Sequence, residues 1–222
     1  MSRISTGAWR PAEALPSEMA LARELNVSQG TVRKAIDSLV AEKLVERRQG
    51  KGTYVAKHTR ESAQFRFFKL NHNESGERAL PTCRQSSIKR RKATIAECKG
   101  LDLPKSSDVY EVVRTRFVGD RPVLREKIVV SYSKFTNLDR YQPLPNTLYT
   151  LYQENFNISI NSADEKLKAT IAGAETAREL KIKPNDPVLR VERLGRNVTG
   201  EPVELRHTDF LTDDLYYALQ LT

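Results

Sequence analysis

A segment near the middle of the chain returns near its end. Residues 101–114, LDLPKSSDVYEVVR, resemble residues 180–193, LKIKPNDPVLRVER. Just downstream, GDRPV at 119–123 resembles GEPV at 200–203, and the offset is about 79–81 residues. Each copy reads as a helix end, a turn, a strand, a turn at the Gly/Pro pair and a second strand. The stretches 94–100 and 174–180 read as the helices that precede the two copies. Two such units can pair into one antiparallel sheet about a pseudo-two-fold axis, with helices on one side, which is an α+β domain.

That repeat leaves the first third of the chain unexplained, and its charge sets it apart. The 222 residues carry a formal net charge of +9. Residues 1–60 hold 11 Lys and Arg against 6 Asp and Glu, and the longer remainder holds 26 against 22. The basic density suggests a polyanionic partner; a generally basic soluble protein is the plain alternative. No run approaches the ~18 apolar residues of a membrane span, and the N-terminus MSRISTGAWRP has no apolar central region. Cys83 and Cys98 read as free thiols in a reducing compartment, so a cytoplasmic protein is expected. His58, His72 and His207 lie apart with no cysteine at ligand spacing, so neither a metal nor a cofactor is expected.

Residues 15–57 are the most legible part of the basic region. Ser17 can cap a helix over 18–25, with Glu18 at the positive end of its dipole. Asn26 and Val27 break that helix, and Ser28 caps a second, over about 29–42. Val32, Ala35, Ile36, Leu39 and Val40 share one face of the second helix; Gly30, Thr31, Arg33, Lys34, Asp37 and Ser38 share the other. Two short helices joined by a tight turn form a helix-turn-helix. LVERRQGKGTYV at 44–55 then alternates around a glycine turn, which is a hairpin pattern. Its tip, residues 47–52, sets three basic side chains beside two glycines. A helix-turn-helix followed by a basic hairpin is a winged helix: its second helix enters the major groove and its wing reaches backbone or minor groove.

These residues resemble the GntR family of bacterial transcription regulators. The matching pieces are LPSE at 15–18, Val27-Ser28 and TVR at 31–33, Ala35 with Leu39, and QGKGTYV at 49–55. The resemblance implies operator contacts from Ser28, Thr31 and Arg33, approach of Gly50 to the minor groove, and a role for its neighbour Lys51. The full set expected to face DNA is Ser17, Ser28, Gln29, Thr31, Arg33, Lys34, Arg47, Gln49, Gly50, Lys51 and Gly52. Met19 and Gln29 stand where the family usually has arginine. Glutamine can pair bidentately with adenine, so Gln29 can shift base preference. Only three residues precede Ile4, where the family has a helix; either the start lies upstream or this unit lacks most of that helix.

In the second part, Arg114 and Arg116 fall on one face of a strand, and Glu126, Arg193, Glu204 and Arg206 follow on later strands. They read either as a solvated face with cross-strand ion pairs or as a pocket for an anionic small molecule, where paired guanidiniums fork onto carboxylate or phosphate. The same region resembles the UTRA effector domain of the HutC subfamily of GntR regulators. The residues that carry this are Val112-x-Arg114-x-Arg116, Pro122, Glu126, NTLY at 146–149, Glu165-x-Leu167-x-Ala169, Ala177 with Leu180, the 188–193 strand, and Pro202-Val203-Glu204. The resemblance implies an effector pocket lined by Arg114, Arg116, Glu126 and Thr147, with Tyr149, Glu204 and Arg206 as weaker members. Thr147 would open a helix, where hydroxyl and backbone N–H groups suit an anion.

Two domains are expected: a winged-helix DNA-binding domain over 1–57, a linker over 58–78, and a UTRA domain over 79–222, similar in fold to chorismate lyase. The strand-like segment 65–70 either begins the second domain or belongs to the connection, and 71–78 reads as a loop. The implied function is that of a homodimeric transcription regulator, a repressor, that binds double-stranded operator DNA and releases it on binding an effector. A ligand-independent DNA-binding protein is one alternative. A lyase-like enzyme is the other, and no nucleophile–base pair, metal cluster or phosphate loop supports it.

Overall fold

The computed structural model describes residues 2–5, 8–41, 44–56 and 69–219. The basic N-terminal unit contains α1 (Ser2–Ser5), α2 (Glu18–Leu25), α3 (Gln29–Ala41), β1 (Val45–Arg48) and β2 (Gly52–Val55). Ser17 Oγ accepts the Ala20 N–H at 3.1 Å, so α2 starts where the capping serine requires. Asn26, at φ +52°, ends it by sending its N–H back to the Ala22 and Arg23 carbonyls. Ser28 Oγ then accepts from Thr31 N at 3.1 Å and opens α3.

Leu15, Leu21, Val32, Ile36, Val45 and Val55 form the core of this unit, with Leu39 and Val40 half-buried beside them. Ala35, expected on the buried face, is exposed. It sits at the margin of the stripe centred on Val32 and Ile36, and its single methyl does not reach the core. The hairpin pairs Val45 with Val55 and Arg48 with Gly52. A short third strand joins it: Ala14 bridges Tyr54, Leu15 N donates to Thr53 O at 2.7 Å, and Val55 N donates to Glu13 O at 2.9 Å. This ties the chain before α2 to the wing, so α2, α3 and the hairpin form one block.

The C-terminal unit begins earlier in the chain than its core sheet. β3 (Leu70–His72) pairs antiparallel with β10 (Leu215–Tyr217). The polar stretch 71–78, expected as loop, is therefore a strand end and a turn, with Gly76 at φ +67°. Leu70 is fully buried beside Ala79 and Leu215, and that burial anchors the polar residues around it. Residues 57–68, which hold most of the expected linker and strand, lie outside the described residues.

The main sheet has six antiparallel strands in the order β4-β5-β6-β9-β8-β7. They are β4 (Thr82–Lys92), β5 (Asp108–Val118), β6 (Arg121–Ser131), β7 (Ser162–Ile171), β8 (Pro187–Arg196) and β9 (Pro202–Phe210). Between them lie α4 (Ile95–Gly100), a 3₁₀ turn (Leu138–Tyr141), α5 (Leu148–Phe156) and α6 (Ala174–Leu180). The two repeats fold alike, β4-α4-β5-β6 and β7-α6-β8-β9, and meet along the β6–β9 seam. Gly119 (φ +57°) and Gly200 (φ +82°) make the two equivalent hairpin turns.

The repeat helices α4 and α6 lie on one face, as the repeat predicts. Leu101, which caps the C-terminus of α4, packs with Val109 and Val129, and Gly100 lies close to Leu205. α6 is fixed by Thr176 Oγ1 donating to Asp209 Oδ2 at 2.9 Å. The opposite face, expected to be free of helices, is covered by α5. Tyr110, Val112, Ile128 and Val130 on the strands pack there against Phe135, Leu138, Leu148, Tyr149, Leu151 and Tyr152. The same strands carry Val109 and Val129 on the other face, and a sheet apolar on both faces needs a second cover. Ile128 is fully buried at the centre of that layer. Ile128→Ala is expected to lower the urea-unfolding free energy by about 2–5 kcal/mol; a loss under about 1 kcal/mol would place Ile128 outside the core.

Candidate nucleic-acid interface and buried effector site

The outer surface of α3 is built from its cap. Ser28, Gln29, Gly30, Thr31, Arg33 and Lys34 are all exposed. The Ser28 and Thr31 hydroxyls hydrogen-bond each other at 2.9 Å, which fixes both at the start of the helix. Ser17 and Ser28 thus act locally as caps, each with its hydroxyl at the surface. Glu18, in the first turn of α2, reaches across to α3. Its Oε2 accepts from Arg33 Nε at 3.0 Å and lies 2.9 Å from Arg33 Nη2, and Gln29 Nε2 lies 3.5 Å away. The hydrogen bond from Arg33 is the main reason the Glu18 carboxyl is held below its ordinary range.

At the wing, Lys51 N closes the turn onto Arg48 O at 2.9 Å, and Tyr54 donates to Lys51 O at 3.1 Å. Gly50 (φ +69°) and Gly52 (φ +106°) are glycines for conformation and not for space, since a Cβ on either would meet nothing within 4 Å. The three basic residues of the tip do not act alike. Arg47 sits on β1 opposite Thr53 and folds back, with Nη2 2.7 Å from Asp37 and 3.6 Å from Glu18. Arg48 lies on Glu46 and over the Tyr54 ring, 4.2 Å from its centroid. Lys51 and Gln49 remain exposed at the turn. All three side chains are exposed, and Arg47 and Arg48 lie against Asp37, Glu18 and Glu46.

The effector-site candidates converge inside the C-terminal unit. Arg114, Arg116, Glu126, Glu204 and Arg206 all project from the sheet face that α5 covers, and all are buried. Glu126 lies between three guanidiniums: Arg114 Nε at 3.1 Å, Arg116 Nη1 at 3.5 Å and Arg206 Nη1 at 3.0 Å. Arg114 Nη2 and Arg116 Nη1 also donate to the Asn146 carbonyl, at 2.8 and 3.2 Å. Arg116 Nη2 reaches Asn146 Oδ1 at 2.9 Å and Pro81 O at 2.7 Å. Thr147 follows directly, buried, with no capping bond from its side chain, and α5 starts at Leu148 as expected. The reading of these strands as a solvated face with ion pairs is overturned: the ion pairs exist, but in the interior.

Glu204 has a different part. Its two oxygens accept from Tyr149 at 2.9 Å, Tyr152 at 3.0 Å and Arg206 Nε and Nη2 at 2.9 Å each. With every lone pair used, Glu204 pins α5 and Arg206 to the sheet. Burial, and then Glu204, push the Tyr149 hydroxyl up to about 12. Four residues of the cluster were not singled out as site residues from sequence. Asn146 enters the sequence reading only through NTLY at 146–149. Arg193 stands in the second repeat where Arg114 stands in the first, and the repeat itself carries that signal. It pairs with Glu165 at 2.6 Å. Tyr152 lies one α-helical turn after Tyr149. Thr208 pairs in register with Glu126.

Among the described residues the cluster holds Arg114, Arg116, Arg193 and Arg206 with Glu126, Glu204 and Glu165, four cations and three anions. Burial draws Arg116 down to about 10, with Glu126 opposing and Arg114 and Arg206 adding to the fall. Arg114 Nε and Nη1 make no hydrogen bond although fully enclosed. The space beside Glu126, Arg193, Arg206 and Thr208 is about 10 Å³, room for about one water. The geometry is an arginine-rich buried cluster with little free space beside it.

Residues 77–215 match the family described as UTRA domain, and residues 1–55 match the bacterial regulatory proteins of the gntR family. The chain is 28% identical over 222 residues to the mannosyl-D-glycerate transport/metabolism system repressor MngR of Escherichia coli K12, covering 98% of this chain and 90% of that one. Among solved structures it is similar to the ligand-binding domain of a regulator assigned to the GntR family in Bordetella bronchiseptica. That match has a TM-score of 0.67 at 28% identity and covers 71% of this chain and 98% of the other. PhnF from Mycobacterium smegmatis matches over 100% of this chain and 96% of its own, with a TM-score of 0.59 at 19% identity, a likeness of fold alone.

The cluster makes a pH prediction. Burial favours the neutral acid at Glu126, but Arg206, Arg114 and Arg116 outweigh it and hold the carboxyl at about 2. An unfolded glutamate titrates near ~4.3. The native state therefore binds its proton later on acidification. Glu126 stabilises fully above about pH 4.5, and that contribution is lost as pH falls toward 2. Glu126→Gln is expected to lower stability at pH 7 by about 3–5 kcal/mol, since it leaves buried guanidiniums without their anion. The gap between variant and wild type should narrow on acidification in urea titrations; a gap independent of pH contradicts the assignment.

Proposed function

Because this chain belongs to the gntR family of bacterial regulators with a UTRA domain, and so is a DNA-binding regulator modulated by an effector, we propose that it is a homodimeric repressor whose effector is a small anion. The repressor sense is taken from relatives such as MngR. The observation that carries the effector class is Arg114 Nη1, enclosed and without a hydrogen-bond partner on a side chain whose Nη2 donates to the Asn146 carbonyl. A carboxylate or phosphate supplies negative charge and accepts from that nitrogen.

Operator binding is assigned to Ser28, Gln29, Thr31, Arg33 and Lys34 in the major groove, and to Gly50 and Lys51 at the wing. Two copies present two such helices to a pseudo-palindromic site. An effector that prefers the arrangement unable to span both half-sites lowers DNA affinity by the coupling factor, typically ~5–150-fold. A thermal-shift screen of anionic metabolites, followed by gel shifts with and without each hit, tests this. A protein that binds operator identically under every stabilising ligand is not effector-modulated in this way.

Arg33→Ala is expected to reduce discrimination between operator and unrelated duplex by about 1–3 kcal/mol. Lys51→Ala should weaken binding to both alike and lower the salt slope by about 1. Equal changes in slope from both variants would refute that division. Arg114→Ala should abolish the effector response while the chain still binds operator; an unchanged response removes Arg114 from the pocket.

A further inference from the structure

We infer that Glu18 is a positioning residue for sequence readout: its carboxylate holds Arg33, and more weakly Gln29 and Arg47, in the orientation that DNA meets. The inference rests on the operator-binding role proposed for α3. Glu18 is fixed from behind, since it lies in the first turn of α2 next to the capped residue Ser17, where the helix dipole favours an anion. From there one carboxylate spans three elements. Oε2 takes Nε and Nη2 of Arg33 on α3 and approaches Gln29 Nε2, and Oε1 lies 3.6 Å from Arg47 on β1.

Stability does not account for this arrangement. Exposed ion pairs contribute little to folding, and the Arg33 side chain is 59% exposed. The consequence is conformational. An unheld arginine samples many rotamers and meets any phosphate. With Nε and Nη2 engaged on Glu18, Arg33 is held by one edge and keeps Nη1 without a partner among the described residues. Readout of a base edge gains from that preorganisation, whereas backbone attraction does not need it. The negative charge also opposes indiscriminate attraction to phosphate, so removing it favours every duplex equally.

The test uses the full chain, a duplex selected by the wild type from a random library, and an unrelated duplex of equal length. Glu18→Gln is expected to lower the affinity ratio between the two by about tenfold, with affinity for the unrelated duplex unchanged or raised. Glu18→Asp, which keeps the charge but shortens the reach, should share most of the loss. In an Arg33→Ala background, Glu18→Gln should cause little further loss of ratio. An unchanged ratio overturns the inference. So does an equal loss toward both duplexes, wild-type behaviour of Glu18→Asp, or an undiminished loss without Arg33. A wild type that selects no duplex at all refutes the operator-binding reading itself, which separates the two failures.

Discussion

The contact between Glu126 and three guanidiniums governs the C-terminal unit. Ionised side chains at the centre of a six-stranded sheet are costly unless each is paired and hydrogen-bonded. Here the sheet order makes that pairing possible. β6 brings Glu126 to the seam, β5 brings Arg114 and Arg116 from one side, and β9 brings Arg206 from the other. Glu204 then closes the network by taking Arg206, Tyr149 and Tyr152, which fastens α5 over the same face. Removing the seam would expose charge on both repeats. The first repeat sets two arginines on one glutamate, and Arg206 of the second reaches that glutamate across the seam.

The repeat shows how far sequence carried the fold. Its turns were legible because Gly119 and Gly200 mark hairpins, and its central strands because their apolar residues persist. β4 and β7 were not recognised as strands, since edge strands carry Lys89, Arg90 and Arg91 or Lys166 and Lys168 and lose the alternation that burial imposes. β3 was missed for a related reason: three residues in a polar stretch give no period, and only Leu70 is fixed in the core. The place of α5 on the far face was beyond reach, because nothing local in 148–156 says which face of a distant sheet it covers. The gathering of Arg114, Arg116, Glu126, Glu204 and Arg206 was anticipated, whereas their depth was not. Alternation places side chains on a face, and only the third dimension shows what lies over it.

The two candidate sites are built on opposite principles. On α3 and the wing, the polar residues are exposed and held by surface ion pairs such as Arg33 to Glu18 and Arg47 to Asp37. Such pairs contribute little to folding stability. In the sheet the polar residues are enclosed and held by several contacts each. The first arrangement suits a surface that exchanges partners with a polyanion. The second suits a site with two discrete states, because an interlocked buried network does not deform by degrees.

That difference bears on how an effector reaches the sheet. The enclosed space holds about one water, far below the ~300 Å³ of an ordinary ligand pocket. On the proposed reading, occupancy by a metabolite requires covering elements to move. The candidates are the elements tied to the cluster: the 146–147 segment through Asn146, and α5 through Tyr149, Tyr152 and Glu204. On the proposed reading the anion takes over interactions that Glu126 and the Asn146 carbonyl now make to Arg114. The freed segment is the one that opens α5. Binding and rearrangement then become one event, and the differential affinity that linkage requires is supplied by the closed state having no room.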